Sequence, residues 1–171
     1  SLSQWAEENF YLSKESSYVE GNWVAIPWQV GIMDCISHDD IQIINWIKSA
    51  RVGATKIMMA SVCYHAEHKP RNQLFYQPTD EDAGEFVKTE LNPMFRDCTA
   101  VHRVFPHYDT QNAKNTDSLK MFTTGKLLIK GGTAARNYRR ISSDIVYYDE
   151  LEAFLRDIEG EGDCIKLGDK R

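Results

Sequence analysis

The sequence predicts an α/β fold, a mainly parallel central sheet flanked by helices and extended by a β-hairpin. Three observations predict it. The apolar positions Ile41, Ile43, Ile44 and Ile47 precede a short polar loop centred on Gly53, and the apolar run Ile57 to Val62 follows, which reads as strand, tight loop, helix. A further strand, Gln73 to Gln77, comes after that helix, and strand, helix, strand in one sheet implies a right-handed βαβ crossover. Late in the chain a third apolar strand, Ile145 to Tyr148, ends in the acids Asp149 and Glu150.

The 171 residues make about one domain, enough to bury a full core, and the composition is ordinary for a globular protein at 42% hydrophobic and 26% charged. No apolar run is long enough to span a membrane, and the polar, acidic opening from Ser1 to Phe10 is not a signal peptide, so a soluble protein with no membrane partner is expected. Cys35, Cys63, Cys98 and Cys164 are widely spaced, without a C-x-x-C pair, which fits reduced thiols rather than a metal knuckle or a redox pair. A net charge of −5 disfavours nucleic-acid binding spread over the whole surface but leaves room for a local basic face. Ser1 is not a methionine and an acidic, Gly-rich stretch, EGEGDCIKLGDKR, closes the sequence, so the chain reads as an excised fragment.

In order along the chain, Leu2 to Leu12 has helical spacing with Ser1 or Ser3 as cap. Glu20, Gly21 and Asn22 form a turn cluster, and Pro27 opens a second helix through Trp28, Val30, Ile32, Met33 and Ile36. Asp39 and Asp40 lead into the strand Ile41 to Ile47, and the helix after the loop covers Ile57 to His65. Lys69 to Asn72 turns into Gln73 to Gln77; Pro78, Thr79 and Asp80 then cap a helix whose apolar face is Phe86, Val87, Leu91 and Phe95. The acids Asp80, Glu81 and Asp82 read as first-turn residues suited to the helix dipole rather than as a metal site. A short strand is expected within Cys98 to Pro106, a polar loop from His107 to Ser118, and a hairpin of Leu119 to Thr123 and Lys126 to Lys130 turning at Thr124 and Gly125. Gly131 and Gly132 end the hairpin, and Arg136, Arg139 and Arg140 form a basic segment which by composition alone reads as solvated surface.

The stretch WIKSARVGATK, Trp46 to Lys56, carries the chemistry. A phosphate-binding loop sits at a strand-to-helix junction because the helix N-terminus offers free backbone N–H groups and the positive end of its dipole. Against the pattern G-x-x-x-x-G-K-[ST], aligned on Gly53, Thr55 takes the hydroxyl position that would meet Mg²⁺. Lys48 falls where the first Gly belongs and Ala54 occupies the Lys position, so the motif is degenerate and a plain turn is the competing reading. The second half of the site is Asp149 and Glu150: an acid at the end of such a strand holds Mg²⁺, and the next carboxylate orients or deprotonates the attacking water. Alone, the loop also fits a plain strand-to-helix turn and the acid pair also fits helix capping. Together, at two strand ends where open α/β sheets bind ligands, they favour an ATPase. Gln29 is a candidate adenine reader, since its amide pairs a donor and an acceptor; the bland alternative is a solvated helix residue.

The collinear motifs WAEENFYLSKESSYVEGNW, PWQ, KSARVGATK, PTDEDAGEF, KGGTAARNYR, YYDELEAF and LGDKR resemble the large terminase subunit of tailed bacteriophages, in its lambda-like branch, over nearly the whole chain. The resemblance implies a P-loop NTPase of the ASCE/RecA-like kind that uses ATP and Mg²⁺ to drive double-stranded DNA into a procapsid in the host cell cytoplasm. Its implied partners are the portal, the small terminase subunit and other copies of itself in a ring.

Residue by residue, the resemblance implies a deviant Walker A loop, Lys48, Ser49, Ala50, Arg51, Val52, Gly53, Ala54 and Thr55, whose lysine sits at the start, with Lys56 an alternative or additional phosphate contact. It implies a Walker B pair with Asp149 on Mg²⁺ and Glu150 as the catalytic carboxylate, and Arg51 acting on the nucleotide of its own subunit. Tyr18 and Gln29 match the adenine-recognition region, and Arg139, ten residues before Asp149, matches an arginine that reaches a neighbouring subunit's ATP. On this reading residues 1–40 are the adenine-recognition region, 41–160 the P-loop core and 161–171 the start of a continuation; the family's nuclease domain is absent. A helicase-like ATPase and a nucleotide-binding assembly module without turnover are the rival expectations.

Overall fold

A computed structural model describes residues 1–169 of the protein. The expected Lys170 and Arg171 of the terminal LGDKR motif, and with them the end of the 161–171 continuation, lie outside the described residues. The elements in order are α1 (Leu2–Asn9), β1 (Tyr11–Leu12), β2 (Gly21–Asn22), α2 (Pro27–Ser37), α3 (Ala54–His68), β3 (Gln73–Gln77) and α4 (Asp80–Phe86). A π-helical turn, Val87–Leu91, joins α4 to α5 (Asn92–Asp97), and α6 (Thr99–Val104), β4 (Leu119–Phe122), β5 (Gly125–Gly131), β6 (Ile145–Tyr148) and α7 (Cys164–Gly168) follow.

The central sheet has the order β4-β5-β3-β6. β3 pairs in parallel with β5 on one side, Phe75 opposite Ile129, and with β6 on the other, Phe75 opposite Tyr147; β4 and β5 form the expected antiparallel hairpin. The sheet is thus mainly parallel, and β3 at its centre is buried along its whole length, which is why the segment is apolar on successive positions. Alternation sends Gln73, Phe75 and Gln77 to one face and Leu74 and Tyr76 to the other.

The first face packs against α3 and the helices around it through Ile57, Met59, Val62, Phe86 and Phe95; Phe75 stacks on Phe86 at 4.8 Å and on Tyr147 at 5.4 Å. The second is covered by Tyr138, Phe154, Ile158 and Leu167, with Tyr76 stacked on Tyr138 at 4.6 Å. Helix α4 starts as its sequence predicts: Thr79 accepts from Asp82 N–H at 3.0 Å while the Thr79 N–H donates to Asp82 at 3.1 Å. Gly131 ends β5 against this start, where a Cβ would lie 2.1 Å from the Asp80 backbone nitrogen.

Several expectations differ from the structure. Ile41 to Ile47 is not a strand: it runs without regular secondary structure from α2 to the loop, Ile43 is 76% exposed and Ile47 101%, and only Trp46 is held, edge-on against Trp28 at 6.0 Å. A strand needs a ladder partner, and the free edge of β6 does not meet this segment, so the βαβ unit expected at Ile41 to Gln77 is not formed. The parallel pairings are those of β3 with β5 and β6 instead. Leu2 to Leu12 is a shorter helix whose end, Tyr11–Leu12, pairs with the expected turn residues Gly21–Asn22. Cys98 to Pro106 holds a helix, Thr99–Val104, in place of the expected strand, because Ala100, Val101 and Val104 bury one face at helical spacing. α3 begins at Ala54 rather than Ile57, directly after the loop glycine. All four cysteines are free thiols, and no helix among the described residues is long and apolar enough to cross a membrane.

Candidate nucleotide site

Gly53 is the N-cap of α3 with φ 82°, a left-handed conformation that an L side chain adopts only at a cost. It lies against the Trp23 ring and the Gln29 amide, where a Cβ would stand 3.4 Å and 3.1 Å away. Among the described residues no side chain caps the first turn of this 15-residue helix, so its leading N–H groups face the loop, the arrangement that attracts an anion. Arg51 also has a left-handed backbone, φ 60°, and its guanidinium stands 5.6 Å from the centre of the Tyr18 ring.

Gln29 is buried beneath this loop. Its Oε1 accepts from the Ile26 N–H at 3.0 Å and its Nε2 donates to the Val52 carbonyl at 3.0 Å, so both ends of the amide are engaged on backbone. Gln29 therefore ties the start of α2 to the loop, and pairing with a base would require exchanging one of those bonds.

The closest convergence is at Thr55 and Asp149, 94 residues apart in sequence. Thr55 Oγ1 donates to Asp149 Oδ2 at 2.8 Å, and Gln77 Nε2 approaches the same oxygen at 3.3 Å. The Glu150 N–H donates to Asp149 Oδ1 at 3.1 Å. Asp149 is 4% exposed, yet among the described residues no lysine, arginine or histidine pairs with it. A buried carboxylate with neutral donors and no counter-cation, facing a hydroxyl at a helix N-terminus, is a hard-oxygen set that suits Mg²⁺. Glu150 follows with φ 51°, its side chain exposed.

The other expected residues are placed as follows. Lys48, Ser49 and Ala50 are exposed in the loop, and Lys48 makes no ion pair among the described residues. Lys56 turns away from the loop: its ammonium donates to Ser16 Oγ at 2.9 Å and forms a partly buried ion pair with Glu90 on the π-helical turn. Arg139 is paired with Glu161, and Arg136 lies 3.6 Å from Asp80.

Two residues escaped the sequence reading. Gln77 is the Asp149 partner; its signal was a polar side chain closing a fully buried strand. Trp23 floors the loop, and the sequence marks it only as the last residue of the first family motif.

Comparison with known proteins adds the family. The family model for "Phage terminase large subunit gpA, ATPase domain" matches residues 17–171. The chain is similar to the large terminase subunit of Enterobacteria phage P21, 47% identical over 98% of the chain, and to that of Escherichia phage lambda, 46% identical over 98%. It spans 26% of the length of each. No solved structure matches. With an uncapped helix start over a glycine loop, a buried acid opposite its threonine, and a family match over most of its length, the chain belongs to the ATPase-domain family of phage terminase large subunits.

Proposed function

We propose that this domain is a P-loop NTPase that hydrolyses ATP with Mg²⁺ to drive double-stranded DNA into a procapsid. The observation that carries the reading is the meeting of Thr55 and Asp149 at the uncapped start of α3. The phosphates would lie on the first-turn N–H groups of α3, with Lys48, which makes no ion pair among the described residues and has a long flexible stem, as their lysine; Lys56 is committed to Glu90. Arg51, with Ser49, Ala50 and Val52, completes the loop around them, and Tyr18 offers an exposed ring for the base while Gln29 holds the loop from below.

Thr55 and Asp149 would hold Mg²⁺, which neutralises phosphate charge when bound. Gln77 orients the Asp149 carboxylate, and Glu150, one residue on, accepts a proton from the attacking water. Arg139 acts on the ATP of a neighbouring copy in a ring, after leaving Glu161. The small terminase subunit and the portal are the further partners, and the site of action is the host cytoplasm.

The test is DNA-stimulated ATP turnover by the full-length protein carrying Lys48→Ala, Lys56→Ala or Asp149→Asn. Loss in Lys48→Ala and Asp149→Asn, with turnover retained in Lys56→Ala, is the expected pattern. Full turnover in Lys48→Ala would refute the displaced lysine.

A further inference from the structure

Below the Thr55–Asp149 contact, α3 and β6 are tied a second time, by a buried chain of polar groups that the site itself does not use. Ser61 Oγ lies 2.9 Å from Tyr147 Oη and 3.1 Å from His65 Nδ1. Tyr147 Oη donates to Gln73 Oε1 at 3.2 Å, and Gln73 Nε2 donates to the Val62 carbonyl at 3.0 Å. Ser61, His65, Gln73 and Tyr147 are all buried.

The directions of these bonds follow from the acceptors. His65 Nδ1 is 2.9 Å from the Ser61 carbonyl, which can only accept, so Nδ1 carries the proton and shares it with Ser61 Oγ. The single Tyr147 proton goes to Gln73, so Ser61 must donate to Tyr147. The chain therefore runs one way, His65 to Ser61 to Tyr147 to Gln73 and back to the α3 backbone at Val62. Burial lowers the His65 pKa, which favours the neutral ring in the chain.

The placement gives the chain a use. Tyr147 and Asp149 lie on the same face of the sheet, two residues apart at β6, and Gln73 and Gln77 share that face on β3. Each level thus joins the same three elements: Thr55, Asp149 and Gln77 above, and Ser61, Tyr147 and Gln73 below. Thr55 and Ser61 are about 9 Å apart along the helix axis. Apolar packing of Ile57, Met59 and Val62 holds α3 on the sheet without direction, whereas two hydrogen-bonded ties at separate levels fix its tilt more closely than one. Mg²⁺ tolerates little error, requiring near-octahedral oxygens at about 2.0–2.1 Å.

We infer that the Ser61–Tyr147–Gln73 chain is a positioning device that sets the tilt of α3 against β6, and so the spacing of the Thr55 and Asp149 oxygens offered to Mg²⁺. It rests on the nucleotide reading above. The three residues touch neither nucleotide nor metal; they act through the helix.

The test uses the full-length protein, a non-hydrolysable ATP analogue and Mg²⁺, with calorimetric titration as readout. Tyr147→Phe keeps the ring stack on Phe75 and removes only the hydroxyl. The Mg²⁺ concentration for half-maximal analogue binding rises about tenfold, in the range seen when supporting shells of metal sites are cut. Affinity for the analogue without Mg²⁺ stays unchanged. Ser61→Ala has the same effect, and the double variant is no worse than either single one, because both cut one chain. Met94→Ala, a packing change on α5, serves as control: it lowers thermal stability and leaves the Mg²⁺ requirement alone.

An unchanged Mg²⁺ requirement in Tyr147→Phe overturns the inference, as does an equal rise in Met94→Ala. Absence of any Mg²⁺-dependent binding in the unsubstituted protein overturns the nucleotide reading itself and this inference with it.

Discussion

Glu150 holds a left-handed backbone, φ 51°, immediately after a buried acid, in a chain where few non-glycine residues do so. Such a conformation costs of order 1–3 kcal/mol and persists where the surroundings impose it, here the Glu150 N–H bond to Asp149 and the tight turn into Leu151–Ala153. Glu150→Gln should lower kcat about 10²- to 10⁴-fold while ATP binding persists, as measured by turnover beside equilibrium titration. Gly53 makes the opposite case, a left-handed residue that is a glycine. Gly53→Ala places a Cβ against Gln29 and Trp23 and should destabilise the fold by about 1–2 kcal/mol in urea denaturation, with weakened nucleotide binding. At this scale the candidate site was partly legible. Thr55, Asp149 and Gly53 stood out because their residue types are demanded by the chemistry. Lys56 entered only through the family resemblance, and its Glu90 partner sits on a π-helical turn that no local pattern announces.

Among the elements, β3, β6 and the hairpin follow the sequence closely, since each is a short apolar run bounded by turn residues. The segment 41–47 does not, although its apolar content is as strong. Periodicity reports that a segment suits burial; pairing depends on a neighbouring edge. Its isoleucines stand in solvent, so Ile47→Asp should change the stability of the 171-residue chain by no more than about 0.5 kcal/mol. Ile57→Ala, fully buried on α3, should cost about 2–5 kcal/mol, both read from denaturation midpoints. The same logic explains α6, where burial on one face chose helix over the strand expected from apolar content.

For the whole molecule, stability should depend on pH through His65. Burial lowers its folded pKa below the ordinary value of about 6.5, so between the two values the unfolded chain binds more protons than the native one. Stability is therefore fully present above about pH 6.5, falls as pH drops through that window, and levels off below the folded value. Denaturation at a series of pH values should show this limb, and His65→Gln should flatten it. Assembly is tested by mixing Arg139→Ala subunits with Glu150→Ala subunits, where recovered ATP hydrolysis is expected if Arg139 serves a neighbour. By itself the sequence determined the α/β class, the central strands, the loop before α3 and the acid pair, because local periodicity and residue chemistry are written in contiguous residues. Only the tertiary structure decided that 41–47 stays unpaired, that Gln29 grips the loop, that Lys56 belongs to Glu90, and that Gln77, Ser61, Tyr147 and Gln73 join α3 to the sheet. Those outcomes depend on which distant side chains arrive within hydrogen-bond reach, and that is settled by packing rather than by any one segment.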